Sequence, residues 1–239
     1  MKDSRASLPL QVEWADREAA RSGNYRRQSG LSRRPTASMA SVVGVVDHED
    51  RQRAARAGVI DLTMVPHTGY RGTAAADWLA AQGYPLPLVP NQASTSANGD
   101  RILRLSMREF WLLGSLDDLG QTITTLPTRM TDTPANCYPL FCGDSHAWLL
   151  LTGEHIADVM AKLCAVDLRE AQFPEGSIAQ TSVARVGAIV VRQQVNGLPA
   201  FAILCDVNSS DYMWTVLVDA VQEFDGGPIG IDCLRSGND

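Results

Sequence analysis

The stretch Ala161–Arg192 reads AKLCAVDLREAQFPEGSIAQTSVARVGAIVVR. It begins as the last turn of a helix. Phe173-Pro174-Glu175-Gly176 then turns the chain, because proline fixes one backbone angle and glycine opens the left-handed region. Two runs that read as strands follow, Ser177–Ala184 and Ala188–Arg192. The stretch holds Lys162, Cys164, Asp167, Glu170 and Arg185 but no His. No nucleophile–base pair can be drawn within it. It reads as a shaping and docking element of a larger assembly.

The elements on either side follow the same logic. Toward the C-terminus, Asn196-Gly197 is a hairpin turn signal, and Phe201–Cys205 is the next strand. Ser209 or Ser210 caps a final helix with the face Met213, Leu217, Ala220 and Phe224, which Gly226-Gly227-Pro228 stops. Toward the N-terminus, Glu154–Leu163 carries Ile156, Val159, Met160 and Leu163 at helical spacing. Ala147–Leu151 is a strand before it. Further back, Val59–Val65 reads as a strand and Thr73–Ala81 as a helix between Gly72 and Gly83. Pro85, Pro87 and Pro90 force an extended path, and Asn91–Asp100 reads as a polar loop. Ile102–Leu105 and Phe110–Leu113 are strands. Leu116–Leu126 reads as a helix capped by Ser115, and Tyr138–Cys142 as a strand.

This order contains an internal echo. Gly72, Ala76, Asp77 and Ala80 recur as Gly153, Ala157, Asp158 and Ala161, at the same place in two strand–helix–strand–strand–helix patterns. The fold expected is α+β, with two split βαβ (ferredoxin-like) halves at about 58–142 and 143–231. Each half would bury one sheet face under two helices. Residues 42–239 form the domain, and residues 1–41 a leader.

Charge separates leader from body. The chain carries −6 overall, yet Arg26, Arg27, Arg33 and Arg34 sit in a leader that is net basic. One reading is a solvated tail. The other is an arm that docks on an acidic partner surface. Nucleic acid fits less well, because the acidic body repels phosphate and the leader interleaves only Trp14 and Tyr25 as aromatics. The N-terminus has no apolar signal core, and no apolar run approaches the ~18 residues that span a bilayer. Five widely spaced cysteines fit reduced thiols in a cytoplasmic protein.

No candidate chemistry converges. His48 lies in Val46-Asp47-His48-Glu49-Asp50, read as a solvated acidic loop. His67 follows Pro66 with no marked partner. Asp144, Ser145 and His146 have the residue types of a triad, but adjacent positions cannot place orienter, base and nucleophile in line, so a turn is expected. Cys137 and Cys142 are too isolated for zinc. Phosphate-loop and dinucleotide fingerprints are missing; Gly72 and Gly153 each open a helix and read as packing glycines. Trp78, Trp111, Trp148 and Trp214 read as core. Catalytic, cofactor and metal residues are therefore expected to be none in this chain.

Several segments together resemble one family. These are Gly69–Leu86 (GYRGTAAADWLAAQGYPL) with Pro90-Asn91, Gly99–Gly114 (GDRILRLSMREFWLLG), Leu163–Gln180 (LCAVDLREAQFPEGSIAQ) and Ser210–Phe224 (SDYMWTVLVDAVQEF). The most specific is Asp167-Leu168, then Phe173-Pro174-x-Gly176, then Gln180-Thr181. Along most of residues 58–226 the chain resembles the gamma subunit of heterotetrameric sarcosine oxidase, a kind of subunit also found in N-methylglutamate dehydrogenase. The resemblance implies the folate-binding fold of an aminomethyltransferase in reduced form. It implies alpha, beta and delta partners that oxidise an N-methyl amino acid, with FAD, FMN, NAD, tetrahydrofolate and zinc held by those partners. Gamma itself would be without catalytic residues. Contacts to partners would fall on Phe173, Pro174 and Gly176 and on the four leader arginines. The leader lies outside the match, and Phe141–Ser145 replaces a VDVS-type strand entry. The rival reading is a free-standing folate-dependent methyl or aminomethyl transferase of the same fold, for which Asp61 or Asp144 would grip the pterin. A scaffold for an unrelated complex is the third.

Overall fold

A computed structural model describes residues 48–235. The leader, with Arg26, Arg27, Arg33 and Arg34, lies outside the described residues. Two β-sheets pack face to face, with helices on the outer face of each.

The first helix, α1 (His48–Ala57), buries only Ala54 and Ala57. It replaces the acidic loop expected around His48: Glu49 and Asp50 occupy its first turn, where the helix dipole favours carboxylates. Strand β1 (Gly58–Asp61) follows and is shorter than the sequence indicates. Then come β2 (His67–Arg71), α2 (Ala75–Ala81), β3 (Gln92–Thr95), β4 (Arg101–Ser106), β5 (Glu109–Leu113) and β6 (Tyr138–Leu140). A single-turn helix, α3 (Cys142–Ser145), leads into β7 (His146–Thr152). The chain continues through α4 (Ile156–Ala161), β8 (Ile178–Val183), β9 (Val186–Val195), β10 (Leu198–Asp206), α5 (Ser210–Gln222) and β11 (Gly227–Pro228).

One sheet has the order β11-β1-β7-β10-β9-β8 and the other β3-β4-β5-β2-β6. The two orders correspond. In each, a long first strand (β2 or β7) pairs antiparallel with the last strand of a three-stranded meander. The helix that follows the first strand reaches the far meander strand, so two strands lie between the strands it joins. The short strands are exchanged: β1 pairs with β7 and β6 pairs with β2. Residues 58–61 thus join the sheet of the second half.

The echo has a steric cause. Gly72 has φ 143°, and a Cβ there would stand 1.9 Å from Asn136 O. Gly153 has φ 111°, and its Cβ would stand 2.4 Å from Arg56 O. In both halves the turn into the helix is pressed against the backbone just ahead of the exchanged strand. No side chain fits there.

Three apolar layers result. Leu149, Leu151, Phe201 and Ile203 pack under Ile156, Val159, Met213 and Leu217. Their alternates Leu150, Ala202 and Leu204 pack between the sheets against Leu103, Trp111 and Leu113, as the two-residue period of a strand requires. Tyr70, Ile102, Phe110 and Leu112 face Leu79 and Ile123 on the far side. Each sheet is therefore covered on both faces, where the sequence reading expected one.

Two further expectations are corrected. Residues 116–126 form turns and one short 3₁₀ segment, Ile123–Thr125. The Asp118 carboxylate accepts from the backbone N–H of Gly120 (2.8 Å) and of Thr122 (3.0 Å), taking donors a helix would use otherwise. Within Asn91–Asp100, residues Gln92–Thr95 form an edge strand that pairs with β4. Among the described residues no helix is long and apolar enough to cross a membrane.

Candidate functional site

The central stretch is the seam between the sheets. Gly176 N–H donates to Arg192 O in β9 (2.9 Å), and Gly176 O accepts from Ala93 N–H in β3 (2.7 Å). Gln180 Nε2 reaches Asn91 Oδ1 (2.8 Å) and Leu105 O (2.7 Å) across the same seam. Phe173 is buried and tilts against Phe201, ring centroids 6.2 Å apart. Arg192 lies over that Phe201 ring at 5.6 Å and donates to Leu168 O (3.3 Å). Of the three residues expected at a partner surface, Phe173 points inward, Pro174 is exposed and Gly176 is half-buried. Phe173 is thus occupied inside its own chain.

A cavity of about 160 Å³ opens near one end of this seam. The turn after β3, the start of β4, the end of β5, β7 and the β9–β10 hairpin all contribute to it. Arg101 is fixed at its wall. Its Nη1 donates to Thr95 Oγ1 (2.6 Å) and its Nη2 to Gln194 O (2.7 Å), and Glu175 stands 3.6 Å away. Burial lowers the Arg101 pKa, against the pull of Glu175. Behind the wall, Asp100 is fully buried. It accepts from Ser115 N–H (2.9 Å) and Asn98 Nδ2 (2.9 Å). Burial raises its carboxyl pKa, opposed first by the Asn98 bond. Burial also pushes Tyr84 beside it up to about 12.

Two lining residues leave polar atoms unsatisfied. Trp148 and Gln193 are buried, and neither Trp148 Nε1 nor Gln193 Oε1 has a hydrogen-bond partner among the described residues. A buried donor and a buried acceptor without partners are rare. Both atoms are themselves closed off from solvent. The volume admits a fragment about the size of one ring. No sequence motif marks the pair, because Trp148 and Gln193 lie on different strands and each reads as an ordinary core or strand residue.

The other candidates stay apart. His67 is buried, with its ring nitrogens 2.9 Å from Val65 O and 3.2 Å from His146 O. Ser145 Oγ lies 2.8 Å from His146 Nδ1, at the foot of the short helix α3. Burial holds this imidazole below its usual range, with Asp206 and Glu109 pulling the other way. Its ring meets Trp111 edge-on at 4.7 Å. Asp61 accepts from Thr63 N–H (2.9 Å), and neither Asp61 nor Asp144 lines the cavity. The acidic residue that does is Asp117, which the sequence reading did not select. Among the described residues no group of three or more His, Cys, Asp or Glu is placed to hold a metal ion.

No protein-family model and no curated relative matches the chain. Solved structures share its fold. A chain of the heterotetrameric sarcosine oxidase from Corynebacterium sp. U-96, in complex with pyrrole 2-carboxylate, superimposes with a TM-score of 0.61 at 21% identity. That match covers 85% of this chain and 99% of the other. The glycine cleavage system aminomethyltransferase T from Bartonella henselae gives a TM-score of 0.58 at 16% identity over 78% of this chain. This chain spans about half of that enzyme's length, 52%. The α+β fold is that of the aminomethyltransferase folate-binding domains.

Proposed function

We propose that the chain is a non-catalytic, gamma-type subunit of a heterotetrameric complex of the sarcosine oxidase kind, which oxidatively demethylates an N-methyl amino acid. One observation carries the reading. The likeness takes in 99% of a sarcosine oxidase chain but 52% of an aminomethyltransferase, so a chain of about this extent already exists as one whole chain of such an oxidase. The seam supports it, since the central stretch bonds the two sheets to each other through Gly176 and Gln180. Alpha, beta and delta subunits would hold FAD, FMN, NAD, tetrahydrofolate and zinc, and the assembly would work in the cytoplasm. The test is co-purification of the tagged full-length chain from its own cells. The expected product contains flavin-bearing partners, whose absorbance near 450 nm leaves with them when the complex is taken apart. A chain that purifies alone with stoichiometric flavin would overturn the proposal.

The likeness to an aminomethyltransferase favours a second reading, a folate-dependent aminomethyl or methyl transferase. Titrating tetrahydrofolate into the pure chain separates the two. Saturable binding with methyl transfer would establish the second reading; no heat and no transfer would leave the first.

A further inference from the structure

Where β4 turns into β5, the sheet of β2–β6 ends in a row of exposed groups. Leu88 is 88% exposed, Met107 64% and Val89 50%. Single exposed apolar side chains are ordinary; the difference here is how these are held. Pro85, Pro87 and Pro90 fix backbone angles through the segment. The Arg104 guanidinium donates to Pro87 O (2.8 Å), Leu88 O (2.9 Å) and Met107 O (3.4 Å). It also lies 5.3 Å over the Phe110 ring. Ser94 Oγ donates to Pro85 O, and Asn91 N–H to Arg104 O (2.7 Å). Arg104 Nε is buried and has no partner among the described residues, a cost the arrangement accepts. Leu88 and Met107 thus stand on a backbone already ordered. Such preorganisation removes much of the entropy loss of binding.

Charge narrows what would cover them. Arg108, next to Met107, is exposed and has no ion pair among the described residues. Arg71 beside it pairs with Glu109. Tyr138, 44% exposed, sits opposite Arg71 on β6, and a shallow depression runs between Arg71, Arg108 and Tyr138. This end is locally basic, although residues 48–235 carry 13 Lys and Arg against 21 Asp and Glu. A second copy brings the same net negative charge and is repelled overall. A segment with apolar side chains set among carboxylates meets both the knobs and the arginine.

We propose that Leu88, Val89, Met107, Arg108 and Tyr138 form the surface on which a partner subunit docks, through an acidic segment that carries apolar side chains. This rests on the reading of the chain as a subunit of a larger complex. The test uses full-length tagged chain purified from its own cells, with captured flavin-bearing subunits read by absorbance and by titration of the separated partners. Leu88→Asp and Met107→Asp are each expected to weaken capture at least tenfold, as loss of a central apolar anchor does. Arg108→Glu should weaken it most at low salt. Leu119→Asp, at an exposed site beyond the opposite end of β5, should leave capture unchanged, and matched melting curves should show that all variants are folded. If wild type captures no flavin-bearing partner, the subunit reading fails and this proposal falls with it. If wild type captures partners and Leu88→Asp and Met107→Asp capture them equally, the surface is wrong while the subunit reading stands. Sedimentation of the pure chain should give a monomer; a dimer that Leu88→Asp abolishes would assign the surface to a second copy and overturn the proposal.

Discussion

Gly176→Val tests whether the central turn holds the two sheets together. Gly176 has φ 83°, a region that costs a residue with a Cβ about 1–2 kcal/mol. The new Cβ would stand 3.0 Å from Ala93 O, the residue whose N–H donates to Gly176 O. Relief of that contact must shift β3 or the turn, and the bonds to Ala93 and Arg192 weaken together. Each such bond is worth roughly 1 kcal/mol net. A branched side chain adds strain at positive φ. The total is about 2–4 kcal/mol. For a domain of this size each kcal/mol shifts the melting temperature by about 2–4 °C, so a fall of roughly 4–16 °C is expected by circular dichroism. Gly83→Val is the control. Gly83 has φ 89° and nothing within 4 Å of a built Cβ, so it reports backbone strain alone. An unchanged melting curve for Gly176→Val, or a fall no larger than that of Gly83→Val, would refute the seam argument.

Four shorter predictions follow from the same structure. Gln193→Leu removes an unpartnered buried acceptor and should stabilise the chain by about 1 kcal/mol in urea denaturation; a loss of stability would show that Oε1 has a partner in solution. Burial raises the thiol pKa of Cys142 to about 12 and of Cys205 and Cys233 to about 11. Groups raised in the folded state contribute fully below the unfolded value near 9 and lose that contribution as pH climbs through 11–12, so urea midpoints should fall across that window and stay flat from pH 7 to 8. The isolated chain should be colourless and inert in an absorbance scan and an amine oxidation assay; a retained flavin spectrum would contradict this. Deleting residues 1–38, which lie outside the described residues, should leave the body folded and weaken partner capture most at low salt, where the arm's charges are least screened; equal recovery across a salt series would make the leader a passive tail.

Legibility in the sequence followed local chemistry. Asn196-Gly197 was readable because both residues take positive φ, 48° and 75°, and those residue types favour that region. The hairpin between β8 and β9 turns in the same way, at Ala184 (φ 49°) and Arg185 (φ 68°), with neither Asn nor Gly to announce it. Tertiary bonds impose it: Ala184 N–H donates to Leu163 O (2.8 Å), and Tyr212 Oη donates to Ala184 O (3.1 Å). Helix α1 went unread because only Ala54 and Ala57 are buried in an arginine-rich segment. Strand β3 went unread because Gln92–Thr95 is a polar edge without alternation. The apparent helix at Leu116–Leu126 lost to Asp118 and to Gly120, whose φ is 73° and whose Cβ would strike Pro66 at 2.7 Å.

The cavity shows why a site on this fold is harder to read than the fold. Its wall draws on five separate stretches, and its two unsatisfied atoms sit on strands that read as ordinary core. The repeat makes the contrast physical. Gly72 and Gly153 each have a helix-opening turn pressed on a preceding backbone, so their identity is dictated by sterics and survives in both halves. Trp148 and Gln193 have no such constraint: the position of Trp148 in β7 is taken in β2 by His67, whose ring nitrogens lie 2.9 Å from Val65 O and 3.2 Å from His146 O. His67 and Trp148 meet edge to face at 5.9 Å between the sheets. Trp148 Nε1 is buried without a hydrogen-bond partner among the described residues. The repeat thus builds a symmetric frame, and the two halves depart from it at this pair.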